Sequence, residues 1–222
     1  MNSNDNFIPL NPVTYSKEEM LKRSQSFFEQ MDKRRSIREF SNEPFPIEIL
    51  ENIIKTASTA PSGAHKQPWT FCVISSAEMK SKIRAAAEEE ELENYTRRMS
   101  DSWLEDLKQF GTDHIKPFIE IAPYIVVVMK HSYEFGENNE KRNNYYVNES
   151  VGIAVGMLIS AIHNAGLFAL THTPSPMRFL KKILNRPENE QPYLLIPVGL
   201  PADNVEVPNI KRKGLDQIIE RY

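Results

Sequence analysis

The chain has 222 residues, of which 40% are hydrophobic and 26% charged, a balance typical of folded globular proteins and unlike disordered, collagen-like or membrane proteins. Its 27 basic and 30 acidic residues give a formal net charge of -3, which provides no overall field to attract nucleic acid or an anionic membrane. A single cysteine, Cys72, excludes an intrachain disulfide. The sequence shows neither the pattern of a secretory signal nor an apolar run of membrane-spanning length, so we expect a cytoplasmic protein.

The N-terminal quarter predicts an arm and two helices. Residues 1–15 are polar and include two prolines, which is typical of an arm with little regular structure. Ser16 and Glu19 have the spacing of a capping box, and apolar residues then recur at helical spacing until a basic run from Lys33 to Arg38. After Pro46 the same spacing returns, so we expect a second helix that ends at a turn over residues 60–63.

The middle of the chain predicts the sheet. Residues 70–74 have the composition of a strand, and the continuous apolar run 123–129 is typical of a central strand covered on both faces. Between them, residues 77–98 predict a charged helix and residues 103–110 a shorter amphipathic one.

The C-terminal half contains a helix that is apolar nearly all round, from Tyr145 to Ala165, with Gly166 placed to end it. Such a helix must be buried. Because one domain's length offers a limited core, we expect a subunit interface, and hence a homodimer, over a large internal core. Strands at 167–171 and 193–198, with a short helix at 177–184 between them, complete a mixed order of helices and strands of the α+β class.

Two basic clusters are candidate phosphate sites. The first is Arg34-Arg35-Ser36-Ile37-Arg38, and the second is Lys211-Arg212-Lys213. Basic runs are usually solvated surface, but guanidinium groups match phosphate oxygens two at a time. Together the clusters suggest a bound phosphate monoester.

Two other stretches have both a structural and a functional interpretation. In the loop 61–69, Gly63 permits a backbone conformation that brings N–H groups close to a ligand, although glycine and proline are common in any connection. In the acidic run 88–95, Glu91 and Tyr95 share one helix face. Adjacent glutamates usually form a solvated face, but their mutual repulsion would be relieved by a cationic ammonium partner.

Several competing chemistries lack their sequence patterns. The five histidines show no paired ligand spacing and one cysteine cannot complete a zinc site, so we expect no metal. There is no G-x-S-x-G elbow, no P-loop and no G-x-G-x-x-G. Serine hydrolase, nucleoside triphosphatase and Rossmann interpretations are therefore unsupported.

The same segments resemble the nitroreductase superfamily, whose members use a stretch similar to residues 34–38 for the phosphate of FMN. A closer resemblance, to the iodotyrosine deiodinase family, covers about residues 16–222. It is carried by residues 59–65, by the acidic run 88–95, by His114-Ile115-Lys116, by Thr171-His172-Thr173-Pro174 and by residues 211–217.

The resemblance implies FMN as cofactor, within an α+β fold that has a mixed β-sheet flanked by helices and forms an intertwined homodimer. It also implies which residues bind FMN. Guanidinium groups and a hydroxyl would hold the phosphate, and Ser62 would contact the ring system. The implied cofactor residues are Arg34, Arg35, Ser36, Ile37, Arg38, Ser62, Thr171, His172, Thr173 and Arg212.

The resemblance likewise implies a halogenated tyrosine as substrate. Glu91 would pair with its ammonium group, and Lys116 and the Tyr95 hydroxyl with its carboxylate. The Ala64 backbone N–H would donate to the phenolate oxygen. The Thr173 hydroxyl would meet the flavin N5 and steer the flavin toward single-electron steps, so that the halogen leaves as halide and tyrosine is formed.

Residues 1–15 are accordingly an N-terminal arm, and residues 16–222 an FMN-binding catalytic domain with a lid over about 88–116. The resemblance implies active sites shared between two subunits and a soluble relative without a membrane anchor. We expect reduction by NAD(P)H, either directly or through a reductase.

Two other functions remain open. A general FMN nitroreductase or quinone reductase would need the phosphate cluster but neither the substrate residues nor Thr173. A flavin-bound sensor or halotyrosine-binding module would bind without turnover. A nucleic-acid-binding protein is disfavoured, since the net charge is negative and there is no platform of aromatic and basic residues.

Overall fold

The computed structural model describes residues 7–222, so the first six residues of the predicted arm lie outside the described part of the chain. The helices are α1 (Lys17–Asp32), α2 (Ile47–Ser58), α3 (Ala77–Glu93), α4 (Asp101–Lys108), α5 (Phe118–Ile121), α6 (Val147–Asn164) and α7 (Arg178–Ile183). The strands are β1 (Trp69–Ile74), β2 (Tyr124–His131), β3 (Tyr133–Phe135), β4 (Lys141–Asn143), β5 (Phe168–Ala169) and β6 (Glu190–Gly199). A π-helical turn at Asn94–Arg98 follows α3, and 3-10 turns lie at Gly63–His65 and Leu215–Gln217.

Helix α1 belongs to a compact unit of its own that ends at Arg34, and Arg35–Tyr222 forms the second unit. The Ser16 hydroxyl accepts the Glu19 N–H at 3.2 Å, which confirms the predicted helix start. The helix ends at Asp32, directly before the basic run, as predicted. Residues 7–16 form no helix or strand, and a single catalytic domain over residues 16–222 stays a prediction.

The main sheet has the strand order β1-β2-β6-β5, and each neighbouring pair is antiparallel. Strand β2 is therefore internal, and its residues from Ile125 to Met129 are fully buried, which confirms the predicted centre. Within residues 7–222, parallel pairing is confined to one bridge, between Ser36 and Ala169. The predicted α+β class with a mixed sheet is confirmed, with that bridge as its parallel component.

Helices cover both faces of the sheet because side chains of β2 alternate between them. Val126 and Val128 pack with residues of α2 and α6, while Val127 and Met129 pack with residues of α3, α5 and α7. The run of apolar residues that predicted a strand buried on both faces thus supplies two separate cores.

Strand β5 is shorter than the predicted strand 167–171. Its register with β6 continues past Ala169, since the backbones of His172 and Leu195 exchange two hydrogen bonds of 2.9 and 3.0 Å. Between these points the partner of Leu170 is Pro197, which has no N–H to donate, and the remaining bond is 3.4 Å long. Proline in the neighbouring strand therefore interrupts the ladder.

Helix α6 was expected to be buried all round, and in the single chain it is buried along one face only. Val151, Val155 and Leu158 lie in the core against α2 and the sheet, whereas Ile153 is 47% exposed. The open face leaves the predicted interface as a proposal. Among residues 7–222, no helix combines the length and the apolar character needed to cross a bilayer.

Strands β3 and β4 and helix α5 were not predicted. Strands β3 and β4 form a hairpin of polar and aromatic residues, held in place where the Asn144 amide donates to the His131 carbonyl at 3.0 Å and the Asn189 amide to the Tyr133 carbonyl at 2.8 Å. Helix α5 has only four residues, too few for a periodicity to be read.

Replacing Leu50 by alanine should destabilise the fold, because Leu50 is fully buried in α2 where that helix packs on α6. We expect the free energy of unfolding to fall by about 2–5 kcal/mol. Urea unfolding followed by circular dichroism would measure the change. The matched control is Ile49→Ala, at a position that is 36% exposed on the same helix, and an equal loss in both variants would contradict this packing.

Candidate functional site

A cavity of about 200 Å³ brings together seven residues predicted from sequence to act on a ligand. They come from four separate parts of the chain, which the fold makes neighbours. The predicted residues in its wall are Arg38, Glu91, Tyr95, Lys116, Thr171, His172 and Thr173. The remaining lining residues are Met99, Trp103, Leu107, Thr112, Phe118 and Leu170.

The parallel bridge between Ser36 and Ala169 lies two residues before Arg38 and Thr171, which both line the cavity. Counting two residues onward along both segments places Arg38 level with Thr171 on the same side of the pairing, since side chains in extended segments alternate with period two. The basic cluster is thus joined to the segment 171–173 by backbone pairing rather than by charge.

Helix α3 delivers Glu91 to the cavity, and the π turn that follows it delivers Tyr95. Directly after α3 the helix widens into the π turn, where the Met99 N–H reaches the Asn94 carbonyl at 2.9 Å. The buried Asn94 amide also donates to the Ser175 carbonyl at 2.8 Å, which ties this turn to the segment after Thr173. Widened turns of this kind are frequent at functional sites.

Glu91 and Lys116 form a buried ion pair, with 3.6 Å between Oε2 and Nζ and only 8% and 4% of their side-chain surfaces exposed. The Lys116 ammonium also donates to the Thr112 hydroxyl at 3.2 Å and to the Asp113 carbonyl. Burial raises the pKa of Glu91, against the opposing effect of Lys116. Burial likewise lowers the pKa of Lys116, against the effect of Glu91. The two charges are held in a poorly hydrated environment.

Tyr95 lies beside this pair and serves as a hydrogen-bond donor. Its hydroxyl donates to the Thr112 carbonyl at 3.1 Å, and the Lys116 Nζ is 5.5 Å from the centre of its ring. Burial raises the pKa of Tyr95, so the phenol keeps its proton.

His172 provides a neutral polar group in the wall of the cavity. Its pKa is lowered to about 3, mainly by burial and in addition by the positive charges of Lys116 and Arg38. Its ring packs edge-on against Phe118, with 5.4 Å between centroids. The buried Nε2 has no hydrogen-bond partner among residues 7–222.

Only one residue of the basic cluster 34–38 lines the cavity. Arg38 lines the cavity, and burial lowers the pKa of its guanidinium group, which remains cationic. Ile37 is 1% exposed and its side chain packs in the hydrophobic core, so the prediction that Ile37 binds a cofactor stays a prediction about its main chain. Only its main chain could meet a ligand, and its side chain anchors the cluster to the sheet.

The loop 62–64 and Arg212 do not line this cavity in the single chain. Gly63 lies against the start of α6, with its N–H 3.3 Å from the Ser150 hydroxyl, and a Cβ atom there would be 2.7 Å from the Tyr145 carbonyl oxygen. Ala64 is exposed at φ 49°, a left-handed conformation. Arg212 lies in an exposed C-terminal segment.

The groups around the cavity fit FMN. That cofactor joins a dianionic phosphate to a ring system with several hydrogen-bonding atoms, and it needs cations at one end and neutral polar groups at the other. Arg38 supplies a cation, while the Thr171 and Thr173 hydroxyls and the unpartnered His172 Nε2 supply neutral donors or acceptors.

The sequence did not identify the apolar part of the wall. Trp103 and Leu107 are four residues apart on α4 and share one helix face. Their periodicity predicted a helix but could not show which surface the helix covers. Met99 follows the π turn, whose altered phase has no simple sequence signal.

Comparison with known proteins gives a consistent result. Residues 31–200 match the nitroreductase family. An iodotyrosine deiodinase of Haliscomenobacter hydrossis is 59% identical over 97% of this chain and 97% of its own length. Human iodotyrosine deiodinase 1 is 46% identical over 96% of this chain and 74% of its own.

A solved structure supports the same assignment. The crystal structure of oxidized iodotyrosine deiodinase bound to FMN and 3-iodo-L-tyrosine superimposes with a TM-score of 0.77. It shares 31% identity and covers 88% of this chain and 98% of that one. The chain therefore belongs to the nitroreductase family and, within it, to the iodotyrosine deiodinases.

Proposed function

We propose that this protein is an FMN-dependent oxidoreductase that removes halogen reductively from halogenated tyrosines. The observation that carries this proposal is the buried Glu91–Lys116 pair, which lines the same cavity as Thr173. Its relatives are iodotyrosine deiodinases, and one of them binds FMN and 3-iodo-L-tyrosine.

The ion pair matches the amino acid end of a halotyrosine. Glu91 pairs with the ammonium group, and Lys116 together with the Tyr95 hydroxyl binds the carboxylate. In the structure, Tyr95 and Lys116 both donate to Thr112, so the two donors are already close together. A substrate carboxylate replaces those donors' contacts with Thr112 and Asp113. Simple halophenols lack both charged groups and gain nothing from these residues.

The remaining residues would hold the cofactor and the phenol. FMN, once reduced, supplies two electrons as the ring carbon gains a proton and the halogen leaves as halide. The Thr173 hydroxyl would meet the flavin N5, and the Ala64 N–H would donate to the phenolate oxygen. The phosphate and ring system would be held by Arg34, Arg35, Ser36, Arg38, Ser62, Thr171, His172 and Arg212, with Ile37 contributing only its main chain.

The active site is shared between two copies of the chain. Ser62, Ala64 and Arg212 are absent from the cavity of one chain, so a second copy supplies them. Support comes from exposed apolar side chains, since Ile153 on α6 and Ile218 near the C-terminus lie open in the single chain. Stable homodimers bury such surfaces. We expect the dimer to work in the cytoplasm and to be reduced by NAD(P)H, directly or through a reductase.

The first test is anaerobic. FMN-loaded protein is reduced, one equivalent of 3-iodotyrosine is added, and flavin oxidation is followed with the release of tyrosine and iodide. We expect about one equivalent of each product. Oxidation by a nitroaromatic or a quinone but not by iodotyrosine would identify a general reductase, and binding without halide release would identify a binding protein.

Glu91→Gln should weaken halotyrosine turnover selectively. A hydrogen bond to a charged group contributes about 1.5–3 kcal/mol, so kcat/KM for 3-iodotyrosine should fall about 10- to 100-fold. Reduction of a nitroaromatic by the same variant should change little. Glu89→Gln, at an exposed position on the same helix, is the control. An equal loss with both substrates would remove support for the ammonium contact.

As the pH is lowered, halotyrosine binding should weaken at a higher pH than it would if Glu91 had the usual pKa of a glutamate. Only ionised Glu91 pairs with an ammonium group, and burial raises its pKa above the usual 4.5. As the pH is lowered, the Kd for 3-iodotyrosine should therefore begin to rise at a pH above 4.5. Titrations across pH should show this rise in the wild type and a weaker, flat affinity in Glu91→Gln. The same rise in Kd at low pH in both proteins would show that a group other than Glu91 causes it.

A further inference from the structure

We propose that Glu88, which lies outside the cavity, is a positioning residue that sets the separation between Glu91 and Lys116. This inference rests on the proposed function, in which those two residues bind the two charged groups of the substrate. Glu88 itself touches neither substrate nor cofactor. Its role is to fix the backbone from which Lys116 extends.

The geometry places one carboxylate oxygen at the junction of two segments. Glu88 Oε1 accepts the Lys116 backbone N–H at 2.7 Å and the Arg84 Nε–H at 2.7 Å. Glu88 precedes Glu91 by three residues on α3, so both carboxylates project from neighbouring positions of one helix face. The same helix therefore holds Lys116 twice, through its main chain at Glu88 and through its ammonium group at Glu91.

The far end of the Lys116 segment is fixed to the same helix. Arg84 also donates to the Glu120 carboxylate at 2.7 Å. The buried Lys80 ammonium donates to the carbonyls of Glu120 and Ala122 at 2.8 and 2.9 Å, where α5 ends. Residues 116–122 are thus attached to α3 at both ends, and the attachment nearest the cavity is Glu88.

The four adjacent glutamates have separate roles in this arrangement. Glu88 accepts the Lys116 N–H, Glu90 pairs with Arg98 at 2.7 Å, and Glu91 pairs with the Lys116 ammonium. Glu89 is exposed on the opposite side of the helix. The acidic run is therefore not one uniform charged surface, and Glu89 provides a matched control within it.

Loss of the contact between Glu88 and the Lys116 main chain should affect only substrates that bind to both Glu91 and Lys116. If Lys116 shifts relative to Glu91, the spacing no longer matches the ammonium and carboxylate of an amino acid, and the substrate binds more weakly because its charged groups lose well-aligned hydrogen bonds. A nitroaromatic has neither group, so its reduction does not depend on this spacing. Glu88 thus contributes to selectivity for amino acid substrates.

The test compares four variants of the FMN-loaded protein: Glu88→Ala, Glu88→Gln, Glu88→Asp and the control Glu89→Ala. Binding of 3-iodotyrosine is measured by flavin fluorescence, KM and kcat by tyrosine release, and nitroaromatic reduction in parallel. We expect Glu88→Ala to raise Kd and KM for 3-iodotyrosine about 10-fold with a smaller change in kcat. Nitroaromatic reduction should stay within about twofold, as should all properties of Glu89→Ala.

The two conservative variants separate position from charge. Glutamine keeps an oxygen at the right reach for the Lys116 N–H and should restore most of the affinity. Aspartate keeps the charge but is one methylene shorter, so it should resemble alanine. The comparison of Glu88→Gln with Glu88→Asp tests the proposal even if Glu88→Ala does not fold. Aspartate matching the wild type, with glutamine as impaired as alanine, would overturn the proposal.

Two further outcomes would also overturn it. Unchanged 3-iodotyrosine affinity in Glu88→Ala would show that the contact does not position Lys116, and an equal loss of nitroaromatic reduction or of FMN content would show a general structural role. Failure of the proposed function is distinguishable from both, because it would appear in the wild type as binding of 3-iodotyrosine without release of iodide.

Discussion

The site depends on two opposite charges held out of water. Removing a carboxylate and an ammonium group from solvent costs several kcal/mol each, and their mutual attraction offsets this only when further hydrogen bonds satisfy them. Lys116 has those bonds, to Thr112 and Asp113, and the distance to Glu91 is short enough for strong attraction in a poorly hydrated surrounding. The segment from α3 to α5 must keep a partner beside each of the two charges, because a buried charge without a partner would strongly destabilise the fold.

The main sheet and the Glu91–Lys116 ion pair have different structural roles. Strand β2 separates two hydrophobic cores and fixes the positions of α3 and α6 on its opposite faces. The parallel bridge at Ser36 and Ala169 then brings the basic cluster beside the residues that precede Thr173. A rigid scaffold therefore carries the groups that fit FMN, while a charged and partly exposed segment carries the groups that fit the substrate.

Periodicity predicted most of the regular structure, since β2, α3 and α6 have long patterns that few alternatives satisfy. The hairpin of β3 and β4 was not predicted, because its residues are polar and its pairing depends on contacts with distant Asn189. Within the site, spacing could place Glu91 and Tyr95 on one helix face but could not place Lys116 beside them. The contact between Glu88 and the Lys116 backbone joins positions 28 residues apart, and no local pattern encodes it. Ile37 shows the opposite limit, because the motif did not indicate that its side chain packs in the core and leaves only its main chain for a ligand.

The π turn at Asn94–Arg98 is the last turn of the helical stretch that begins at Ala77, because Met99 and Ser100 after it have extended backbones and α4 begins separately at Asp101. The stretch that carries Glu91 and Tyr95 therefore does not run on into the helix that carries Trp103 and Leu107. Each residue of an α-helix advances its phase by about 100°, but that phase is not passed through an extended link. A change in the length of the first stretch would thus move the polar part of the cavity wall without setting the orientation of the apolar part.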